Sequence, residues 1–211
     1  MNRDRTKLLS EVADYYSAKL AEHGETAGGV DWNGEESQAL RFEQLCKIID
    51  VTENFSINDL GCGFGSLYDY LEARYKMFSY SGIDVSKDMV ETANNRYADK
   101  ENACFVVSNE PESISDYSVA SGIFNVRMER SDDQWRKYFE ETLAVLDRNS
   151  RLGFSFNCLT SYSDEDKMHD YLYYANPCEL FDLCKRRYSL NVGLLHDYGL
   201  YEFTILVRKK L

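Results

Sequence analysis

An apolar stretch that ends in an acid and runs straight into alternating glycines constrains this chain more than any other feature: Ser56 to Ser66 reads SINDLGCGFGS. Ile57 and Leu60 beside Asp59 suit a short buried strand, and Gly61, Gly63 and Gly65 suit a sharp turn from that strand into a helix. Such a turn brings main-chain N–H groups close to a ligand, because glycine has no side chain to hold the ligand off. A second strand pattern, Tyr80-Ser81-Gly82-Ile83-Asp84, also ends in an acid. Asp59 and Asp84 therefore flank one expected crevice, with Asp84 placed to accept hydrogen bonds from ribose hydroxyls and Asp59 left to meet an amino group. The spacing is GxGxG followed by Ser66-Leu67, which departs from the GxGxxG of dinucleotide binding.

Around this turn the periodicity predicts an alternating chain. Strands are expected at 56–60, 79–84, 104–107, 118–125 and 151–157, with helices at 66–77, 86–97 and 132–147. Asn176-Pro177-Cys178-Glu179 combines a cap, a first-turn proline and a following acid, and so starts a helix over 177–187. Two closing strands, 190–195 and 202–207, are joined by His196-Asp197-Tyr198-Gly199-Leu200-Tyr201 as a hairpin around Gly199. Ahead of the glycine turn, Leu8, Leu9, Val12, Tyr15, Tyr16 and Leu20 fall near helical spacing over 4–22. A Gly24 to Gly34 loop carrying Val30-Asp31-Trp32-Asn33 follows, and then a helix over 35–49. Alternation of this kind implies a parallel sheet with helices on both faces, and ligands then bind at the carboxyl ends of the strands. Asp59, Asp84, Asn109 and Asn125 all fall on that edge. Ser86 reads as the N-cap of its helix and needs no ligand to explain it.

These residues resemble the class I S-adenosylmethionine-dependent methyltransferases, through DLGCGFG at 59–65, SGIDVS at 81–86 and SVASGIFNV at 118–126. The likeness spans about residues 35 to 211. It implies a doubly wound α/β fold: a mostly parallel seven-stranded sheet whose last strand is antiparallel, with residues 1–50 as a helical lid over a 51–211 core. It implies that Asp59, Gly61, Gly63 and Gly65 hold the methionine part of S-adenosylmethionine and Asp84 the ribose, with S-adenosylhomocysteine as product. Asn109 stands where the family often has an Asp that recognises the adenine amino group, and an amide oxygen accepts the same bond. Lid residues Trp32 and Arg41, with Gln38 on the same helix face, are expected at the cofactor, Arg41 meeting its carboxylate; Trp32, Tyr15 and Tyr16 read equally well as packing between helices. In this topology the sixth strand points its end, and therefore the 196–201 loop, toward the cofactor edge.

The expected reaction is in-line attack by an acceptor O or N atom on the sulfonium methyl. His196 beside Asp197 is the best-placed candidate base, with Tyr198 and Glu202 as candidate acceptor contacts. Asn125, at the end of the fourth strand, is a candidate neighbour of the methyl. Each has a structural alternative: a strand-end imidazole bonded to a carbonyl, an acid facing solvent, an amide capping the turn before Arg127. Residues 160–175, rich in tyrosine, stand where the family often inserts acceptor-binding structure.

Composition narrows the classes. A formal charge of −12 repels phosphate backbones and anionic lipid, so nucleic-acid and membrane partners are disfavoured and a small-molecule acceptor is expected. A protein methyltransferase, or a cofactor-binding protein without turnover, are the alternatives. A nicotinamide oxidoreductase would need the absent GxGxxG. Six cysteines without a CxxC pair suit reduced thiols in the cytoplasm and no metal site. The scattered charges of MNRDRTKLLSEVADYY do not suit a signal peptide, and no apolar run reaches membrane-spanning length.

Overall fold

The computed structural model of the chain describes residues 3–30, 32, 34–51 and 54–209. Asp31 and Asn33 of the expected lid loop lie outside the described residues. Strands β1 (Phe55–Leu60), β2 (Phe78–Asp84), β3 (Ala103–Val107), β4 (Ser115–Ala120), β5 (Ser150–Leu159), β6 (Asn191–Leu195) and β7 (Glu202–Arg208) form one seven-stranded sheet in the order β3-β2-β1-β4-β5-β7-β6. β1 pairs in parallel with β2 and β4, β2 with β3, and β4 with β5, while β7 runs antiparallel to both β5 and β6. The strand order reverses between β1 and β4, and a crevice opens at the carboxyl ends there.

Burial explains the strand sequences. β1 and β4 sit in the middle of the sheet, where both faces are covered, so they read as nearly continuous buried runs. One core layer joins residues of α2 (Glu35–Cys46), α3 (Ser66–Glu72) and α4 (Lys87–Arg96) to one face of the sheet. The other joins α1 (Arg3–His23), α5 (Asp132–Arg148) and α6 (Pro177–Arg187) to the opposite face. Buried Asn58 on β1 has its polar atoms answered: its amide donates to Ser113 O at 3.0 Å and Asn149 O at 3.1 Å, and its Oδ1 accepts from Ser115 Oγ at 3.0 Å. That cluster ties the loop before β4 and the end of α5 to the central strand.

Helix starts follow local signals. Ser86 Oγ accepts from Met89 N, Ser131 and Gln134 form a capping box, and Asn176 Oδ1 accepts from Cys178 N and Glu179 N ahead of Pro177. Several ends differ from expectation. The 35–49 helix stops at Cys46, the 66–77 helix at Glu72, and the strand expected over 118–125 ends at Ala120. There the chain turns at Gly122 (φ 76°), and Phe124 leaves the sheet to stack on Phe139 of α5 with ring centroids 3.8 Å apart. All six cysteines are free thiols. Among the described residues, no helix is long and apolar enough to cross a membrane.

Candidate active site

β1 delivers Asp59 to the crevice and the glycine turn follows at once. Gly61 N and Cys62 N donate to Ile83 O at 2.7 and 3.1 Å, which locks the turn against the end of β2. Gly63 N donates to Asp84 Oδ2 at 2.9 Å, and Ser86 N to Asp84 Oδ1 at 2.8 Å. The first and second acids are thus fixed on either side of one loop. Gly61, Gly63 and Gly65 have φ of 79, 55 and 88°, a left-handed conformation that disfavours any other residue. A Cβ on Gly61 would run into Ile123 Cγ2, and one on Gly63 would stand 3.0 Å from Val30 Cγ1. Gly65 differs, because its Cβ position points at Tyr97 and Phe105, 2.6 and 2.9 Å away, so it serves packing beneath the loop.

Electrostatics separate the two acids. Asp59 is 2% exposed, and burial pushes its carboxyl up to about 7. A 2.6 Å hydrogen bond donated by the Tyr80 hydroxyl opposes the shift, and the negative charge of Asp84 adds to it. Asp84 is half-buried at the mouth. Burial raises its carboxyl too, against the N–H groups of Ser86, Gly63 and Val85 that favour the anion.

Walls come from several elements. Asp59, Gly61, Gly63, Asp84, Asn109 and Trp32 all line the crevice. So do Gln38 and Phe42 of α2, Ser121 after β4, and Tyr138 and Thr142 of α5. Arg5, Leu9, Val12 and Tyr16 of α1 form one further wall. Burial pushes the Tyr138 phenol up to about 12, while the Thr142 hydrogen bond and the charge of Arg5 pull it back. Ser121 Oγ and Arg5 Nε are buried here without a hydrogen-bond partner. Sequence patterning does not single out Arg5, Ser121, Tyr138 or Thr142. The helical spacing of Leu9, Val12 and Tyr16 is the one available signal for that wall.

Arg41 stands behind the wall instead of in it. Its guanidinium lies 3.9 Å over the Trp32 ring and makes a buried pair with Glu202, Nε to both carboxylate oxygens at 2.9 Å and Nη2 to Oε1 at 2.7 Å. Asn157 Nδ2 donates to the same carboxylate at 3.0 Å and Asn157 Oδ1 accepts from Gly122 N at 2.8 Å. Glu202, 2% exposed, therefore does not face solvent, and it does not line the crevice.

Asn125, His196, Asp197 and Tyr198 do not line the crevice. Asn125 is buried, with its Oδ1 accepting from Leu159 N at 3.2 Å and its carbonyl from Tyr173 N at 2.8 Å, which pins the 160–175 segment. Tyr198 Oη shares a 3.1 Å hydrogen bond with Thr204 Oγ1. His196 is exposed between Tyr162 and Phe203, and Asp197 is exposed beside it. The reason is lateral. β6 does end on the carboxyl edge, but it lies four strand positions from β1, roughly 19 Å at about 4.8 Å per strand.

Comparison with known proteins identifies the family. Residues 57–149 match the family model described as a methyltransferase domain. A Mycobacterium tuberculosis (strain ATCC 25618 / H37Rv) protein with a methyltransferase name is 60% identical over 163 residues, covering 77% of this chain and 98% of that protein. Among solved structures, the complex of DhpI with SAH superposes with a TM-score of 0.63 at 14% identity, covering 95% of this chain and 96% of that one. The magnesium protoporphyrin IX methyltransferase ChlM of Synechocystis PCC 6803 with bound SAM gives 0.52 at 11% identity, covering 98% and 80%. The chain belongs to the class I S-adenosylmethionine-dependent methyltransferases. Its cofactor is S-adenosylmethionine, and the crevice fits it: a glycine cradle that a Cβ would fill, an acid at each of two strand ends, and unpartnered buried donors in the wall.

Proposed function

We propose that this enzyme methylates an O or N atom of a small-molecule acceptor by in-line displacement. The observation that carries the reading is enclosure. The crevice is roofed by α1 and by Val30 and Trp32, which favours a compact acceptor over a polypeptide or nucleic-acid strand. A charge of −12 also favours acceptors other than nucleic acid. ChlM is named for a small-molecule substrate, and free cysteines support a reducing compartment, the cytoplasm.

In this reading S-adenosylmethionine supplies the activated methyl group. Asp59 in its ionised form receives an ammonium, the N–H groups of the glycine turn approach the amino-acid part, Asp84 accepts from the ribose hydroxyls and Asn109 Oδ1 from the adenine amine. Arg41 holds Trp32 in place, so its contribution to the cofactor passes through that ring, and Gln38 one turn earlier is the polar residue of α2 that reaches the crevice. Residues 1–50 act as the lid over the 51–211 core. Alignment of two reactants in a dry site contributes up to roughly 7–11 kcal/mol, and no base inside the crevice is needed for an acceptor that is already nucleophilic. The test is a panel of small-molecule, peptide and RNA acceptors with methyl-labelled cofactor. Label transfer to small molecules alone is expected; transfer to peptides alone would replace the reading, and tight cofactor binding without any transfer would favour the non-catalytic one.

A further inference from the structure

β3 and β4 run parallel with β2 and β1 between them, yet residues 108–114, which join them, contain no helix. A parallel connection usually carries one, and it covers the face it crosses. Here α1 covers that face. Leu8 joins the core formed with Ile83 and α5, and Leu9, Val12 and Val106 of β3 pack against it. α1 is tied on both sides of the crevice: Glu11 to Arg130 at 2.6 Å and Arg5 to Glu141 at 3.8 Å toward α5, and Ser17 Oγ to Ser86 Oγ at 2.9 Å at the start of α4. Arg5, Leu9, Val12 and Tyr16 recur at helical spacing along α1 and line the same crevice as Val85, Ser108 and Asn109, the segments that follow β2 and β3.

That stripe places a donor at the site. Arg5 Nε is buried without a hydrogen-bond partner, because Glu141 meets the other side of the guanidinium. A buried donor left unmade is costly, and native proteins keep few of them. We propose that α1 is the outer wall of the purine subsite and that Arg5 Nε donates a hydrogen bond to a ring nitrogen of the cofactor's adenine. The inference rests on the assignment of Asp84 to the ribose, which puts the base against Val85 and Asn109. Adenine offers three unprotonated ring nitrogens, all acceptors, and its amine is a donor, so a guanidinium complements the ring and Asn109 Oδ1 complements the amine. Leu9 and Val12 supply an apolar surface for the flat of the ring.

Calorimetry with S-adenosylhomocysteine and its 1-, 3- and 7-deaza analogues tests this on the parent, Arg5→Met and Glu141→Gln. The parent is expected to bind one analogue about tenfold more weakly than S-adenosylhomocysteine, the scale of one lost charged hydrogen bond. Arg5→Met should lose about tenfold on S-adenosylhomocysteine and nothing further on that analogue. Glu141→Gln should bind like the parent, which separates contact with the base from anchorage of α1. Equal affinity of the parent for all four ligands overturns the proposal, whatever the stability of Arg5→Met. So does an equal loss in Glu141→Gln, or parental affinity in Arg5→Met with turnover lost, which would assign Arg5 to the acceptor. A parent that binds none of the four ligands would instead remove the cofactor reading beneath the proposal.

Discussion

Asp59 couples the chemistry of the crevice to pH. Its carboxyl is raised to about 7 in the folded protein from an ordinary 3.8, chiefly by burial. A raised folded value means that the neutral form is favoured by folding: this contribution to stability is complete below about 3.8 and is lost as pH rises toward 7. The ligand-free protein should therefore unfold at lower denaturant as pH rises from about 5 to about 7, and Asp59→Asn should flatten that slope. Binding an ammonium requires the ionised form, so the sign reverses for ligand. S-adenosylhomocysteine affinity should rise by up to about tenfold per pH unit below 7 and level off above it, with proton release seen in buffers of different ionisation enthalpy. A flat affinity profile in the parent would remove Asp59 from the amino group. Gly63→Val tests the neighbouring residue. With φ at 55° and Val30 only 3.0 Å from the new Cβ, calorimetry should show S-adenosylhomocysteine binding abolished while far-ultraviolet dichroism keeps the fold; affinity within threefold of the parent would refute the cradle. Both residues were legible in the sequence because an acid at a strand end and a glycine after it are local signals. Arg5 was not, because its value comes from a helix crossing over strands that are distant in sequence.

At the scale of elements, Arg41 of α2, Glu202 of β7, Asn157 of β5 and the turn after β4 form one buried polar tie, with the Trp32 ring stacked on the Arg41 guanidinium at its end. Removing one partner of a buried ion pair strands the other charge. Glu202→Gln should lower stability by about 3–5 kcal/mol in denaturant titration, whereas joint replacement of Arg41 and Glu202 by Met should recover most of that loss. Equal losses in the single and double variants would mean that the pair is not coupled. The tie should also matter for the crevice, since Trp32 ring carbons stand 2.6 and 2.7 Å from the Cβ position of Gly122, and any substitution there would displace the ring. Element starts were legible for the same reason as the acids: Ser131 with Gln134, and Asn176 with Pro177, are short-range caps. The ends of α2, α3 and β4 were not. Ile123 and Phe124 read as strand because they are apolar, and only the packing of Phe124 on Phe139 shows that they belong to the turn and to α5.

For the whole molecule, strand order decides which surfaces share the cofactor's fate. Sequence pattern places the last hairpin on the correct edge of the sheet and cannot measure how far along that edge it stands, since the sideways distance is set by β5 and β7 pairing between them. His196, Asp197 and Tyr198 therefore belong with Tyr162, Phe203 and Thr204, while α1, Ala27–Val30 and Trp32 belong with the glycine turn. Hydrogen exchange separates the two groups in one experiment. Saturating S-adenosylhomocysteine should slow exchange in the amides of α1, of residues 27–30 and of residues 61–65, because the ligand adds its binding free energy to whatever opening exposes them. Residues 196–201 should exchange at the same rate with and without ligand. His196→Ala should accordingly keep S-adenosylhomocysteine affinity within about twofold, and, with any acceptor found to be methylated, keep turnover far above the 10²–10⁴-fold loss expected of a missing general base. Protection that spread to 196–201 and bypassed α1 would reverse the assignment, making the hairpin the moving cover and α1 plain structure. The two outcomes are distinguishable because α1, tied to both sides of the crevice by Glu11 to Arg130 and by Ser17 to Ser86, roofs it together with Val30 and Trp32, whereas residues 196–201 do not line it.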